Sequence, residues 1–314
     1  MRSLLFVVMV IGCGSSGSPE TDGGLADNGL LGGETSACPV GNWCIEASPV
    51  ANRLTDVWAV PGDAVYAVGQ SGTILRRRGG TWTQMTSNTT ANLLGVWAAS
   101  ATDLWAVAEN GTVLRSNGTT WSVVPNTGIT SEVKSVWGSS ATDVWLAGVG
   151  AIHHWNGSTW STQGFAGQFY GISGSGPYDV WAGGANNGPV LRRYTGSWGS
   201  VTHGLGNTTI FTVLVLAANN VWATSAVPNK ESVQWNGSTW TPRPVSVGTA
   251  LQKLWAAAPN TMWGVGATRV ARWNGSSWTV TQPLGSTVSL SAVAGLGTSI
   301  WVVGGNGLIA SHRD

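Results

Sequence analysis

One unit recurs seven times along this chain, and its period leaves few folds open. The copy that starts at Val133 reads VKSVWGSSATDVWLAGVGAIHHWNGSTWSTQ. Two of its positions run through the whole sequence. The first, at the end of SVW, is held by Trp58, Trp97, Trp137, Ser173, Leu214, Trp255 and Ala294. The second, in DVW, is held by Tyr66, Trp105, Trp145, Trp181, Trp222, Trp263 and Trp301. Successive members lie 36 to 41 residues apart. That length holds four short strands with their turns, the size of one propeller blade, so seven members predict seven blades.

A third position, in GSTW, is held by Trp82, Trp121, Trp160, Trp198, Trp240 and Trp278, and the chain reaches Asp314 before a seventh. The missing member stands at the other end. Gly41-Asn42-Trp43-Cys44 matches Gly80-Thr81-Trp82-Thr83, and Trp43 precedes Trp82 by 39 residues, in step with the series. The chain therefore reads as an all-β, seven-bladed β-propeller with four-stranded blades, its ring closed by the N-terminal strand around Trp43. Closure of this kind leaves no open sheet edge between first and last blades.

Composition agrees with that reading. Charged residues make up only 9% of the chain, whereas Gly (45) and Trp (20) are over-used. Within a blade, strand A is expected around SVW, strand B at DVW, strand C at TILRR or AIHHW, and strand D at TWSVV. Asn117-Gly118, Asn156-Gly157, Asn236-Gly237 and Asn274-Gly275 mark the hairpins between C and D, because Asn-Gly tolerates positive φ at both turn positions. Flat Trp side chains suit blades packed face to face, each contributing roughly 4 to 6 kcal/mol of burial before entropy. A net charge of +1 gives no electrostatic argument for nucleic acid, whose phosphates call for a basic stripe, and no nucleic-acid partner is expected.

The first residues read as a targeting segment. Arg2 and the apolar stretch Leu4 to Ile11 precede Val10-Ile11-Gly12-Cys13, which resembles the lipobox of bacterial lipoproteins. That resemblance implies a signal peptide over 1–12 and lipidation of Cys13. With Gly14 and Ser15 following, it also implies an extracytoplasmic, outer-membrane location. Residues 13–37 form a flexible Gly/Ser-rich tether, and the propeller is expected over 38–314. Cys38 and Cys44 remain as a pair, which an extracytoplasmic compartment allows to form a disulfide. No apolar run of spanning length follows the leader, so membrane contact is expected through the lipid alone, and the domain is expected to be monomeric.

The C-to-D hairpin also carries a family resemblance. Ser116-Asn117-Gly118-Thr119-Thr120-Trp121 resembles the Ser-x-Asp-x-Gly-x-Thr-Trp hairpin of bacterial propellers with sialidase-type Asp-box repeats, and of the related photosystem assembly-factor propellers. Asn stands where those have Asp, and the turn is one residue shorter. The resemblance implies the propeller fold and the hairpin position; since the Asp-box is structural, it implies no activity.

Catalytic chemistry finds little support. Asp103, Asp143 and Asp179 recur at one repeat position ahead of strand B, where a short acceptor caps local backbone. Other carboxylates, including Glu109 and Glu231, are scattered singly. His153 and His154 are strand neighbours facing opposite ways, so they make poor joint metal ligands. No catalytic residue, metal or cofactor is expected. The favoured function is a non-enzymatic binding or scaffold module at the cell envelope, with an envelope protein or a glycan as partner. Its binding surface is placed on the irregular loops that join D to A and B to C, at Phe165, Phe169, Tyr170, Asn186, Asn187, His203, Lys230 and Glu231. Two alternatives stay open: a sialidase-like glycan-active enzyme, and a multivalent lectin. The lectin would use a ring of basic and aromatic strand C residues: Arg76, Arg115, His154, Trp155, Arg193, Tyr194, Trp235, Arg272 and Trp273.

Overall fold

The computed structural model describes Pro39 and residues 41–163, 165, 167–185, 190–245, 250–285 and 287–314. Cys13, Cys38, the tether, Asn186 and Asn187 lie outside the described residues. Seven four-stranded antiparallel sheets form the blades. Blade 1 is typical, with strands Leu54–Val60, Ala64–Gly69, Ile74–Arg78 and Thr81–Met85 in A to D order. Blades 2 to 6 repeat this order over 93–123, 133–163, 169–201, 210–242 and 253–281.

Blade 7 takes strands A to C from Leu290–Leu296, Ser299–Gly304 and Ile309–Arg313, and its strand D is Trp43–Ile45. Trp43 pairs with His312, Cys44 with Ser311 and Ile45 with Ala310. Beyond the strand, the Gly41 N–H donates to the Arg313 carbonyl at 2.8 Å and the Glu46 N–H to that of Ile309 at 2.9 Å. The Trp43 ring meets Trp263 edge-on at 5.8 Å and 80°. Trp160 meets Trp105 at 5.9 Å and 80°, so the closing strand reproduces the contact that other D strands make. Glu46 then ties the seam to blade 1, its carboxylate accepting from Arg77 Nε at 2.7 Å and Trp82 Nε1 at 2.6 Å.

Seven apolar clusters, one at each blade interface, make up the core. The SVW series shows how neighbours interlock. A Cβ on Gly138 would sit 2.6 Å from Trp97 Cη2, one on Gly174 2.4 Å from Trp137 Cη2, and one on Gly295 2.6 Å from Trp255 Cη2. These three Trp therefore lie over a missing side chain in the next blade, whereas the position equivalent to Gly138 in blade 2, next to Trp58, is Ala98. Blade 4 has Ser173 in place of the Trp, and blade 5 answers with the larger Val215, whose N–H donates to Ser173 Oγ at 3.2 Å. Residue sizes are matched pair by pair around the ring.

Candidate functional site

In six of the seven blades the ladder between strands A and B slips at the second residue of A. Register jumps from Leu54 to Asp56, Leu93 to Gly95, Val133 to Ser135, Phe169 to Gly171, Ile210 to Thr212, and Leu290 to Ala292. Such a β-bulge leaves one residue unpaired and re-aims its side chain. Here those residues are Thr55, Leu94, Lys134, Tyr170, Phe211 and Ser291, and with Gln252 of blade 6 all of them line the central channel, a cavity of ≈ 660 Å³. The start of each inner strand, or in blade 6 the residue just before it, thus delivers one side chain to the channel mouth on the D-to-A loop face. Sequence reasoning found only Tyr170 of this ring. The available signal was variability: Thr, Leu, Lys, Tyr, Phe, Gln and Ser stand at a position flanked by conserved spacing on both sides.

The two ends of the channel differ. At the mouth, Lys134 pairs with Glu132 at 2.8 Å and lies 5.1 Å from the Tyr170 ring centroid, while Arg53 Nε donates to Ser291 Oγ at 3.2 Å. One step deeper, Lys253 of blade 6 skips blade 7, whose member at this position is Ala292, and reaches Asp56 of blade 1. The ammonium meets Oδ1 at 3.0 Å and Oδ2 at 3.1 Å, and Oδ2 also accepts the Val96 N–H at 3.1 Å. The far end is lined by Trp58, Trp137, Leu214, Leu216 and Trp255. One end offers charge and hydrogen bonds; the other offers apolar surface.

Several residues assigned to the loop face serve packing instead. Phe169 is 1% exposed within the interface of blades 3 and 4, because it is the paired residue that precedes the bulge. Phe165 packs edge-on against Trp198 at 6.0 Å. Glu231 is 4% exposed; its Oε1 accepts the Asn229 N–H at 3.0 Å and its Oε2 that of Val245 at 3.4 Å. Both oxygens clamp two loops together, a structural use. Lys230 donates to the Gly204 carbonyl at 3.3 Å and so ties its loop to the neighbouring one, and His203 Nδ1 accepts the Leu205 N–H at 3.2 Å within its own loop. Of the loop set, Tyr170 alone among the described residues lines the channel. Glu109 holds Asn92 through its side chain at 2.9 Å.

The strand C ring needs a correction in blade 4. The residue opposite the strand B aromatic is Arg76, Arg115, His154, Arg192, Gln234, Arg272 and Ser311. Arg192 takes the place expected of Arg193, because Arg193 pairs with Trp198 as Trp155 pairs with Trp160, and Tyr194 is one further residue that pairs with Ser197 at the hairpin tip. Most of these cations are already partnered. Arg115 grips Asp103 at 2.7 and 3.0 Å over the Trp105 face. His154 Nε2 meets Asp143 at 2.7 Å while stacking on Trp145 at 3.8 Å. Arg192 bonds Asp179 at 2.7 Å, Arg272 bonds Asp314 at 2.9 Å, and Arg76 donates to the Gly118 carbonyl at 3.3 Å. Trp235 and Trp273 are 9% and 4% exposed, and Trp155 packs on Trp105 and Trp160. A sheet of sugar-stacking faces is not what this ring presents.

The repeated Asp residues emerge as hubs. Asp143 accepts from Ser139 Oγ at 2.6 Å, Trp145 Nε1 at 3.0 Å and His154, and Asp179 accepts from the corresponding Ser175, Trp181 and Arg192. Burial pushes the Asp143 carboxyl up, but bonds from His154, Ser139 and Trp145, with the imidazole charge, outweigh it and hold its pKa below the usual carboxylate value. Burial pushes the neighbouring His153 imidazole down. At Tyr66 burial raises the phenol pKa against the opposing charge of Arg76. Among the described residues no group of three or more His, Cys, Asp or Glu is gathered to hold a metal ion, and no helix is long and apolar enough to cross a membrane.

No protein-family model matches this chain, and no curated protein does. Solved structures do. YCF48 bound to D1 peptide is 16% identical with a TM-score of 0.72, over 88% of this chain and 99% of that one. YCF48 from Cyanidioschyzon merolae is 15% identical with a TM-score of 0.70, over 87% and 99%. Virginiamycin B lyase from Staphylococcus aureus is 12% identical with a TM-score of 0.75, over 86% and 99%. At such identities the likeness is one of fold, and the chain stands as a seven-bladed, four-stranded β-propeller.

Proposed function

We propose that this protein is a non-enzymatic binding module that takes an envelope protein at the channel mouth, on the arc supplied by blades 3 to 5. The observation that carries the reading is the bulge ring, which spends one inner-strand residue per blade on aiming a side chain into the channel. Lys134, Tyr170 and Phe211 stand side by side in that ring and combine a cation, a phenol and an apolar ring, a mixture suited to polypeptide. A propeller of the same fold has been captured with a peptide, and another is named a lyase. Here the carboxylates that a glycosidase would need are committed, Glu231 to two backbone amides and Asp103, Asp143 and Asp179 to strand C cations. A glycan remains the other class of ligand for the same face.

The proposal includes the setting. Residues 1–12 direct export, Cys13 carries lipid, residues 13–37 hold a monomeric propeller off the outer membrane, and a Cys38–Cys44 disulfide locks the closing strand where the tether pulls. Lipid labelling lost in Cys13→Ala supports the anchor. For the site, crosslinking the purified protein to an envelope extract should capture a polypeptide, and Lys134→Glu or Tyr170→Ala should abolish capture without changing Tm. Capture that survives both substitutions refutes the site. Turnover of a fluorogenic glycoside that is lost in Glu109→Gln or Glu231→Gln refutes the non-enzymatic reading.

A further inference from the structure

Blade 4 departs from the repeat twice on the face opposite the channel mouth, and both departures expose a tyrosine. Its A-to-B turn reads Pro177-Tyr178-Asp179 where blades 2 and 3 have Ala-Thr-Asp, and its C-to-D hairpin reads Tyr194-Thr195-Gly196-Ser197 where blade 3 has an Asn-Gly loop. Tyr178 is 67% and Tyr194 56% exposed, two of only four large apolar side chains so exposed among the described residues. The turns are bound to each other. Thr195 N–H donates to the Tyr178 carbonyl at 3.3 Å and Arg193 Nη1 to that of Pro177 at 2.8 Å.

The patch is cross-linked by hydrogen bonds and carries a net positive charge. The Arg192 guanidinium lies between two rings, 4.8 Å from the Trp181 centroid and 4.5 Å from that of Tyr194, and Asp179 neutralises it. Tyr194 is thereby held flat with its outer face free. Arg193 rests over Trp145 at 5.0 Å, is half-buried, and has no carboxylate partner among the described residues. Thr195 takes φ 51, a left-handed conformation costly for a β-branched residue; the chain accepts this to make the tight turn that carries Tyr194.

From this arrangement we infer a second binding site, for an acidic polysaccharide, at Tyr178, Tyr194 and Arg193. The flat C–H face of a sugar ring fits an exposed, pre-ordered aromatic face. A sugar carboxylate would supply the partner that Arg193 lacks and that its planar fork suits. An apolar peptide laid here would instead desolvate that guanidinium without compensation.

Affinity electrophoresis of the full chain tests the inference, with polygalacturonate, neutral dextran or no polymer in the gel. Polygalacturonate should retard the protein and dextran should not. Tyr194→Ala and Tyr178→Ala should each weaken retardation about tenfold, Tyr194→Phe should preserve it, and Arg193→Gln should erase the preference for the acidic polymer. Lys134→Glu, on the other face, should leave retardation intact, which separates this site from the channel mouth. No retardation by polygalacturonate, equal retardation by dextran, or full retardation of the Tyr178→Ala/Tyr194→Ala variant with unchanged Tm would each overturn it.

Discussion

Gly295→Ala isolates the interlocking of blades better than any other single substitution. The backbone at Gly295 is not left-handed, and the three atoms nearest to a Cβ there all belong to the Trp255 ring, at 2.6, 2.7 and 2.8 Å from Cη2, Cζ3 and Cζ2. Carbon atoms settle at about 3.5 to 4.0 Å, so the indole must retreat by roughly 1 Å. Trp255 borders the channel and can slide, which keeps the cost within the overpacking range of about 1 to 3 kcal/mol. A strand Gly→Ala exchange recovers roughly 0.5 to 1 kcal/mol of backbone entropy, so overpacking wins narrowly and Tm falls by a few degrees, at about 2 to 4 °C per kcal/mol. The decisive measurement is the cycle with Trp255→Leu. Blades 5 and 6 already pair Leu214 with Ala256 at the equivalent place, so the double variant should be more stable than the sum of the singles by about 1 kcal/mol or more. Denaturant melts of the four proteins that add to within about 0.5 kcal/mol would refute size matching as the rule of this ring.

Three further outcomes are expected. Trp43→Ala removes the edge contact with Trp263 and the stack on His312 and should cost about 3 to 5 kcal/mol, with dimers or larger species in light scattering as the seam opens; a monomer of unchanged Tm would mean that the ring closes without it. Thr195→Asn relieves the φ of 51 and should raise stability by about 1 kcal/mol, read as a shift in denaturant midpoint at constant slope; no shift would mean that the threonine is unstrained. Burial depresses the His153 pKa, so the unfolded chain binds the proton more readily; the corresponding stability is complete above the unfolded value near about 6.5 and is lost as pH falls below it. The chemical midpoint should therefore drop between about pH 7 and pH 5, less steeply in His153→Gln, and equal slopes would remove His153 as the source.

The fold was legible because its information is carried by large, rare side chains at a fixed interval. Trp43 could be placed in blade 7 from spacing alone, and its contact with Trp263 follows from that register. The site was less legible because a bulge has almost no sequence signature. Lys134 and Phe211 sit where simple alternation makes them ordinary strand residues, and only the slipped ladder turns them into the channel. Blade 4 misleads for another reason: Tyr194 looks like the counterpart of Trp155 and so suggests Arg193 opposite Trp181, while the six-residue interval to the strand D Trp, kept in blades 1 to 6, puts Arg192 there.

Both failures bear on how function can be sought in a repeat. In seven nearly equivalent blades, a residue that recurs serves the shared scaffold, as Asp143 and Asp179 do by gathering hydroxyl, indole and cation on one carboxylate. The ring of cations looks like a binding surface only until that partner is counted. What remains for a ligand is the set of positions where geometry repeats and chemistry does not. The bulge ring satisfies this condition, since the slipped ladder recurs in six blades while the side chain at its place changes in every one; the turns of blade 4 stand out in the other way, because there the backbone itself departs and new aromatic surface comes with it. Position within the repeat, more than residue type, separates the side chains that hold this propeller together from those that are free to bind.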